Sequence, residues 1–137
     1  MKIILTFALA LFILTNVCSA RVIKEQNKYA VAGIDDAQIV DKFFLELKQA
    51  VEKDERDEVV AMVSYPINVL IKGRRTKMRT KAELLKNYDS VFNKNVKQAL
   101  AKASAPSFAN YQGVMIGDGE FWLNLVKDKM KVTAINN

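Results

Sequence analysis

Two pairs of side chains have the types and spacing to do chemistry. Tyr88 and Asp89 set a phenol beside a carboxylate. Glu120 and Trp122 lie two positions apart and so share one face of an extended segment. Asp89 or Glu120, desolvated in an apolar pocket, would have a raised pKa and could act as a general base, with Tyr88 as hydrogen-bond donor. The bland alternative makes Tyr88 a core aromatic and Asp89 a surface carboxylate. Neighbouring helical positions point about 100° apart, so the two do not face one substrate atom unless the helix ends there. Tyr65, Tyr88, Met115 and Trp122 are the candidate lining of a pocket for a small hydrophobic ligand. For Tyr65 the alternative is a core plug whose hydroxyl reaches water. For Trp122 it is an outward sheet face that favours a homodimer. Arg74, Arg75, Lys77 and Arg79 gather on one predicted hairpin. They would contact an acidic partner or lipid headgroups, or simply charge a sheet edge against aggregation.

Other chemistries are excluded by composition. The chain has no histidine, and its one cysteine is Cys18. Beyond that position disulfides, thiolate nucleophiles and the common zinc sites have no residues to form them. The usual general base near neutral pH is absent too. Gly117-Asp118-Gly119 lies between two extended runs and predicts a turn, not a phosphate loop. The acids of residues 35–58 lack the spacing of a calcium loop. No metal and no cofactor is expected.

The first twenty residues have the three parts of a secretory signal. Lys2 supplies the charge, Ile3 to Leu14 the apolar run, and Cys18 and Ala20 the small residues before a cut after Ala20. As a helix the apolar run rises only about 18 Å, against about 30 Å of hydrocarbon, so no stable membrane span is expected. Val17 before Cys18 departs from the small residue that precedes a lipidated cysteine. An exported domain of residues 21–137 is expected, held together by its core, and long enough to bury one. The formal charge of +6 is unevenly spread. Residues 35–58 carry nine acids and four bases, and residues 72–102 ten bases and two acids. In an exported chain that asymmetry suits solubility or an acidic partner, not nucleic acid.

The elements that would position these groups follow from periodicity. Residues 21–35 lack a period and predict a flexible leader or edge segment. Asp35 and Asp36 offer an N-cap, and Ile39, Phe43, Phe44, Leu47, Ala50 and Val51 form a helical stripe over about four turns. Lys53 to Asp57 reads as a charged turn, then Glu58 to Val63 as a short helix ended by Pro66. Ile67, Val69 and Ile71 alternate into a strand, Gly73 turns, and Arg75 to Arg79 returns. Thr80 and Glu83 form a capping box opening a helix through Phe92. A further helix spans about Lys94 to Ala103. Strands are predicted at Tyr111–Ile116, Glu120–Val126 and Lys129–Ile135, with turns at Gly117-Asp118-Gly119 and Lys127-Asp128. The result is an α+β domain.

Several motifs support a resemblance: Ser64-Tyr65-Pro66-Ile67, the Gly73 hairpin, Leu84 to Phe92, Asn110 to Trp122, and Val132 to Asn136. Residues 36–137 resemble exported bacterial proteins of the nuclear-transport-factor-2-like superfamily. That resemblance implies a cone: a curved antiparallel sheet packed on N-terminal helices, with a pocket at the wide end. It implies periplasmic localisation, and a sheet through which members often dimerise. Catalytic relatives use an Asp–His or Tyr–Asp constellation, and here only the latter can exist. The expected function is a non-catalytic binding or protein-interaction domain with an apolar pocket. The alternatives are a cofactor-independent lyase or isomerase using Asp89 or Glu120, and an envelope-associated protein using the basic surface.

Overall fold

The computed structural model describes residues 26–137; the expected signal and its cleavage point lie outside the described residues. The first described segment is not the loose leader that its lack of period suggests. Tyr29 and Ile34 are buried, and the Tyr29 hydroxyl donates to Asp41 at 2.7 Å. Asn27 Nδ2 donates to the carbonyls of Ile34 and Asp35, which folds the segment over a short 3₁₀ turn, Ala30–Ala32. Two apolar side chains spaced for one tight turn leave no periodic signature.

Helix α1, Ala37–Glu52, starts at Asp36, whose carboxylate accepts from the Gln38 amide. Its buried stripe is Val40, Phe43, Phe44, Leu47, Ala50 and Val51. Each large side chain contributes about 1.5–3 kcal/mol relative to exposure. Ile39, expected in that stripe, faces outward, and Val40 takes its place. Helix α2 is Arg56–Ala61, shifted toward the N-terminus of the expected span, and Val63 already belongs to strand β1, Val63–Ile71. Pro66 therefore lies inside a strand and does not end a helix. It sits where the β1 register shifts between Val63 and Asn68, a bulge that tolerates a missing N–H.

Strand β2, Arg74–Met78, returns from β1 through Lys72 and Gly73, both at positive φ, as a two-residue hairpin turn requires. Thr80 caps α3, Lys81–Lys86, and Glu83 reaches back to the Arg79 amide. The single helix expected through Phe92 breaks at Asn87, whose side chain bonds to the Glu83 carbonyl, and resumes as α4, Tyr88–Val91. Helix α5 covers Lys94–Lys102, capped by Asn93.

The last four strands are β3, Phe108–Asn110; β4, Gly113–Ile116; β5, Phe121–Val126; and β6, Lys129–Ile135. Strand β3 escaped the sequence reading because its three residues are too few to show alternation, and Tyr111, expected in a strand, lies in the turn after it. The six strands form one curved, unclosed sheet in the order β2-β1-β6-β5-β4-β3. It is mixed, not wholly antiparallel: β1 runs parallel to β6, which joins the β1–β2 hairpin to the C-terminal meander. Ile67, Val69, Val114, Ile116, Phe121, Leu123, Val132 and Ile135 are buried on the face that meets the helices. Among the described residues no helix is long and apolar enough to cross a membrane.

Candidate ligand-binding groove

The Tyr88–Asp89 pair is taken apart by the fold. Tyr88 is only 1% exposed, stacked on Phe92 with ring centroids 4.5 Å apart. The Arg56 guanidinium lies 4.7 Å from the Tyr88 ring centroid and the Lys97 ammonium 5.6 Å. Burial pushes the Tyr88 phenol up to about 12, and its hydroxyl has no hydrogen-bond partner among the described residues. The Asp89 carboxylate points the other way. Its side chain is 73% exposed and takes two hydrogen bonds from Arg56, at 3.1 and 2.8 Å. Arg56 also bonds Asp54, which lowers the Asp54 pKa. Asp89 is thus a solvated, paired carboxylate, and the expectation of a desolvated general base is corrected.

Tyr65 is likewise committed. Its hydroxyl donates to the Val60 carbonyl at 2.8 Å, and burial pushes it up to about 12. It ties β1 to α2. Neither Tyr65 nor Tyr88 lines any of the main clefts, which all open at the surface. The expected apolar pocket is therefore not formed at these two residues among the clefts described: Tyr88 belongs to the core cluster, and Tyr65 packs against it.

Met115 and Trp122 are brought together. They are cross-strand partners of β4 and β5 on the sheet face turned away from the helices. A single cross-strand row runs over that face: Phe108, Met115, Trp122, Ala134, Asn68 and Lys77. Phe108 at its end is 52% exposed. Arg74, Arg75, Lys77 and Arg79 are exposed along edge strand β2 and its end. None of these four forms an ion pair among the described residues.

Two open clefts meet around the β4–β5 turn. One, of about 620 Å³, lies between α5, the Ala103–Ser107 loop and the turn. The other, of about 480 Å³, lies between Met115, Trp122, the turn and the C-terminal Asn136 and Asn137. Asn95, Asp118 and Glu120 line both, so the two clefts adjoin at the turn, which stands between them. Each half falls within the roughly 300–1,000 Å³ of small-molecule sites.

The turn between them is held from several sides. Gly117 and Gly119 both have positive φ, and a Cβ on Gly117 would collide with the Glu120 carboxylate. Glu120 Oε2 accepts from the Asp118 amide at 2.7 Å. Ser107 Oγ donates to the Gly117 carbonyl and Asn136 Nδ2 to the Gly119 carbonyl, both at 2.7 Å. The Asn136 amide donates to the Glu120 carbonyl at 2.9 Å. Glu120 is therefore a turn clamp within a solvent-open groove. Asn95, Gln98 and Asn136 were missed from sequence because isolated amides carry no pattern; their grouping depends on α5 and the C-terminus meeting at this turn. Among the described residues no group of three or more carboxylates is gathered to hold a metal ion.

No family model, no curated protein and no solved structure matches this chain. The functional reading therefore rests on the geometry.

Proposed function

We propose that this chain is an exported, periplasmic, non-catalytic binding domain of the nuclear-transport-factor-2-like type, and that it takes its ligand in the open groove at the β4–β5 turn. The cone-shaped reading is supported by the sheet order, by β1 and β6 running side by side, and by helices gathered on one sheet face. Export is supported by the charge, apolar run and small residues of positions 2–20.

One observation carries the non-catalytic reading. Arg56 neutralises Asp89 in solvent while sealing Tyr88 below it, so the Tyr–Asp constellation serves packing. Asp89 borders an open cleft of about 600 Å³ with Lys97 and Gln98, but it is solvated there and already held by Arg56. Glu120 is spent on the Asp118 amide. A general base needs instead a desolvated carboxylate aimed at the substrate. The groove offers the alternative site, with a clamped turn, side-chain amides and a partly exposed indole. A second reading rests on the cross-strand row. A second copy laid on Phe108, Met115 and Trp122 would bury them, and it competes with the groove for Trp122.

Native mass spectrometry of the full chain, incubated with envelope extract of a host that exports it, separates these readings. A small molecule retained unchanged in mass by the wild type, and lost from the Asn95→Ala/Trp122→Ala double variant, is expected. Release of a chemically changed product, or loss of binding in Asp89→Asn instead, contradicts the reading. A dimer without any small molecule favours the second copy.

A further inference from the structure

We propose that the groove at the β4–β5 turn is a saccharide site, taking a short neutral oligosaccharide with one sugar ring stacked on Trp122. This rests on the groove being the binding site, and names the chemical class of its ligand.

The first support is the kind of polar group present. Asn95 and Gln98 on α5 and Asn136 beside β6 are planar amides, each presenting donors and an acceptor. The carboxylate of Asp118 adds acceptors. Sugar hydroxyls both donate and accept, and neighbouring hydroxyls are spaced for such planar groups. Asn95, Gln98 and the Asp118 carboxylate make no hydrogen bond within the protein among the described residues, so they have bonding capacity to offer. All three are exposed.

The second support is the aromatic. Trp122 is partly exposed, and its Nε1–H has no partner among the described residues and is not sealed from solvent. The negative face of an indole attracts the weakly positive C–H edge of a pyranose, and its N–H remains for a hydroxyl. Stacking with hydrogen bonds at the ring rim is the arrangement a sugar requires, since it has an apolar face and a polar circumference.

The third support is charge and shape. Asp118 and Glu120 face the groove with only Lys102 opposite in sign among the described residues, which disfavours anionic ligands. Besides Trp122, the apolar lining groups, Ala99, Ala103, Ala105, Pro106 and Met115, are small or isolated, and both clefts are open to solvent. Two adjoining clefts that share Asn95, Asp118 and Glu120 give an oligomer more to engage than one ring would. The clamped turn reduces the ordering cost of binding.

Trp122 is the only tryptophan of the chain, so its emission reports on this site alone. The full chain is titrated with maltotriose, cellotriose and N,N′,N″-triacetylchitotriose, followed by emission and by calorimetry. At least one of the three is expected to change the emission saturably in the millimolar range or tighter. Asn95→Ala and Asp118→Ala, which break no internal hydrogen bond, should each weaken it about tenfold, the scale of one lost hydrogen bond. Asp89→Asn should leave it unchanged. No emission change with any of the three overturns the saccharide assignment. If the native-mass experiment then shows another small molecule lost from the groove variant, the groove survives as a binding site and only its ligand class is wrong. Calorimetric binding of a saccharide with Trp122 emission unmoved places the sugar elsewhere and overturns both. A response to an extended peptide but to no saccharide also overturns this inference.

Discussion

Arg56 and Asp89, 33 residues apart in sequence, are joined by two hydrogen bonds, and the same guanidinium covers the ring of Tyr88. One arginine thus links α2 to α4 and sets the two halves of the Tyr–Asp pair on opposite sides of itself. Both ends of the ion pair are substantially solvated, so salt screens it. Asp89→Asn should shift the urea midpoint only slightly, and the shift should shrink further at high salt. Arg56→Ala should cost more, because it also uncovers Tyr88 and releases Asp54. Urea unfolding of both variants at low and high salt measures this. Equal effects of the two substitutions would contradict it.

The Tyr88 hydroxyl is buried without a partner among the described residues. Such a group costs about 1–3 kcal/mol to hold away from water. Tyr88→Phe keeps the stack on Phe92 and should be neutral or stabilising by up to about 1 kcal/mol. Tyr88→Ala should lose about 3–5 kcal/mol, as large aromatic truncations do. Chemical denaturation of the two variants gives the comparison, and a strongly destabilised Tyr88→Phe would mean the hydroxyl has a partner.

Three tyrosines make the fold sensitive to alkali. Burial raises Tyr65 and Tyr88 from 10.0 to about 12, and it raises Tyr29 as well, helped by its hydrogen bond to Asp41. Between pH 10 and 12 the folded state holds these protons more tightly than the unfolded one. Stability is therefore fully present below pH 10 and falls as pH rises through that window. Lys131, lowered first by burial and then by Lys81 and Lys129, acts in the opposite sense, gaining stability as pH climbs toward its ordinary 10.5. With three groups against one, the net expectation is loss. The urea midpoint followed against pH should drop above 10, and less steeply in the Tyr65→Phe/Tyr88→Phe double variant.

Gly117 fixes the turn that builds the groove. At φ +70° a side chain is strained, and a Cβ would strike the Glu120 carboxylate that clamps the Asp118 amide. Gly117→Ala should destabilise by about 1–2 kcal/mol from the left-handed backbone alone. Thermal unfolding reads that cost, and saccharide titration of the same variant should show weakened binding. Unchanged stability with unchanged binding would mean the turn does not shape the site.

Much of the fold was legible because its elements are long and periodic. The α1 stripe, the Thr80 cap, the Gly73 hairpin and the 129–135 strand all declare themselves through spacing and turn chemistry. What stayed hidden depends on long-range contact. Three residues of β3 become a strand only by pairing with β4, and Pro66 is tolerated only because β1 bulges against β6. Asn87 breaks a helix that periodicity alone would continue. Met115, Glu120 and Trp122 were legible as neighbours, since a hairpin register follows from its turn. Asn95 and Asn136 were not, because nothing in their local sequence announces that α5 and the C-terminus converge there.

The most direct measurement is a backbone and side-chain amide NMR map of the ¹⁵N-labelled chain with and without triacetylchitotriose, maltotriose and cellotriose. Shifts are expected to be confined to the Trp122 indole, the Asn95, Gln98 and Asn136 side chains and the amides of residues 117–120, with Tyr88 and Asp89 unmoved. Shifts centred on Tyr88, Asp89 and α4, or none with any of the three sugars, would contradict it.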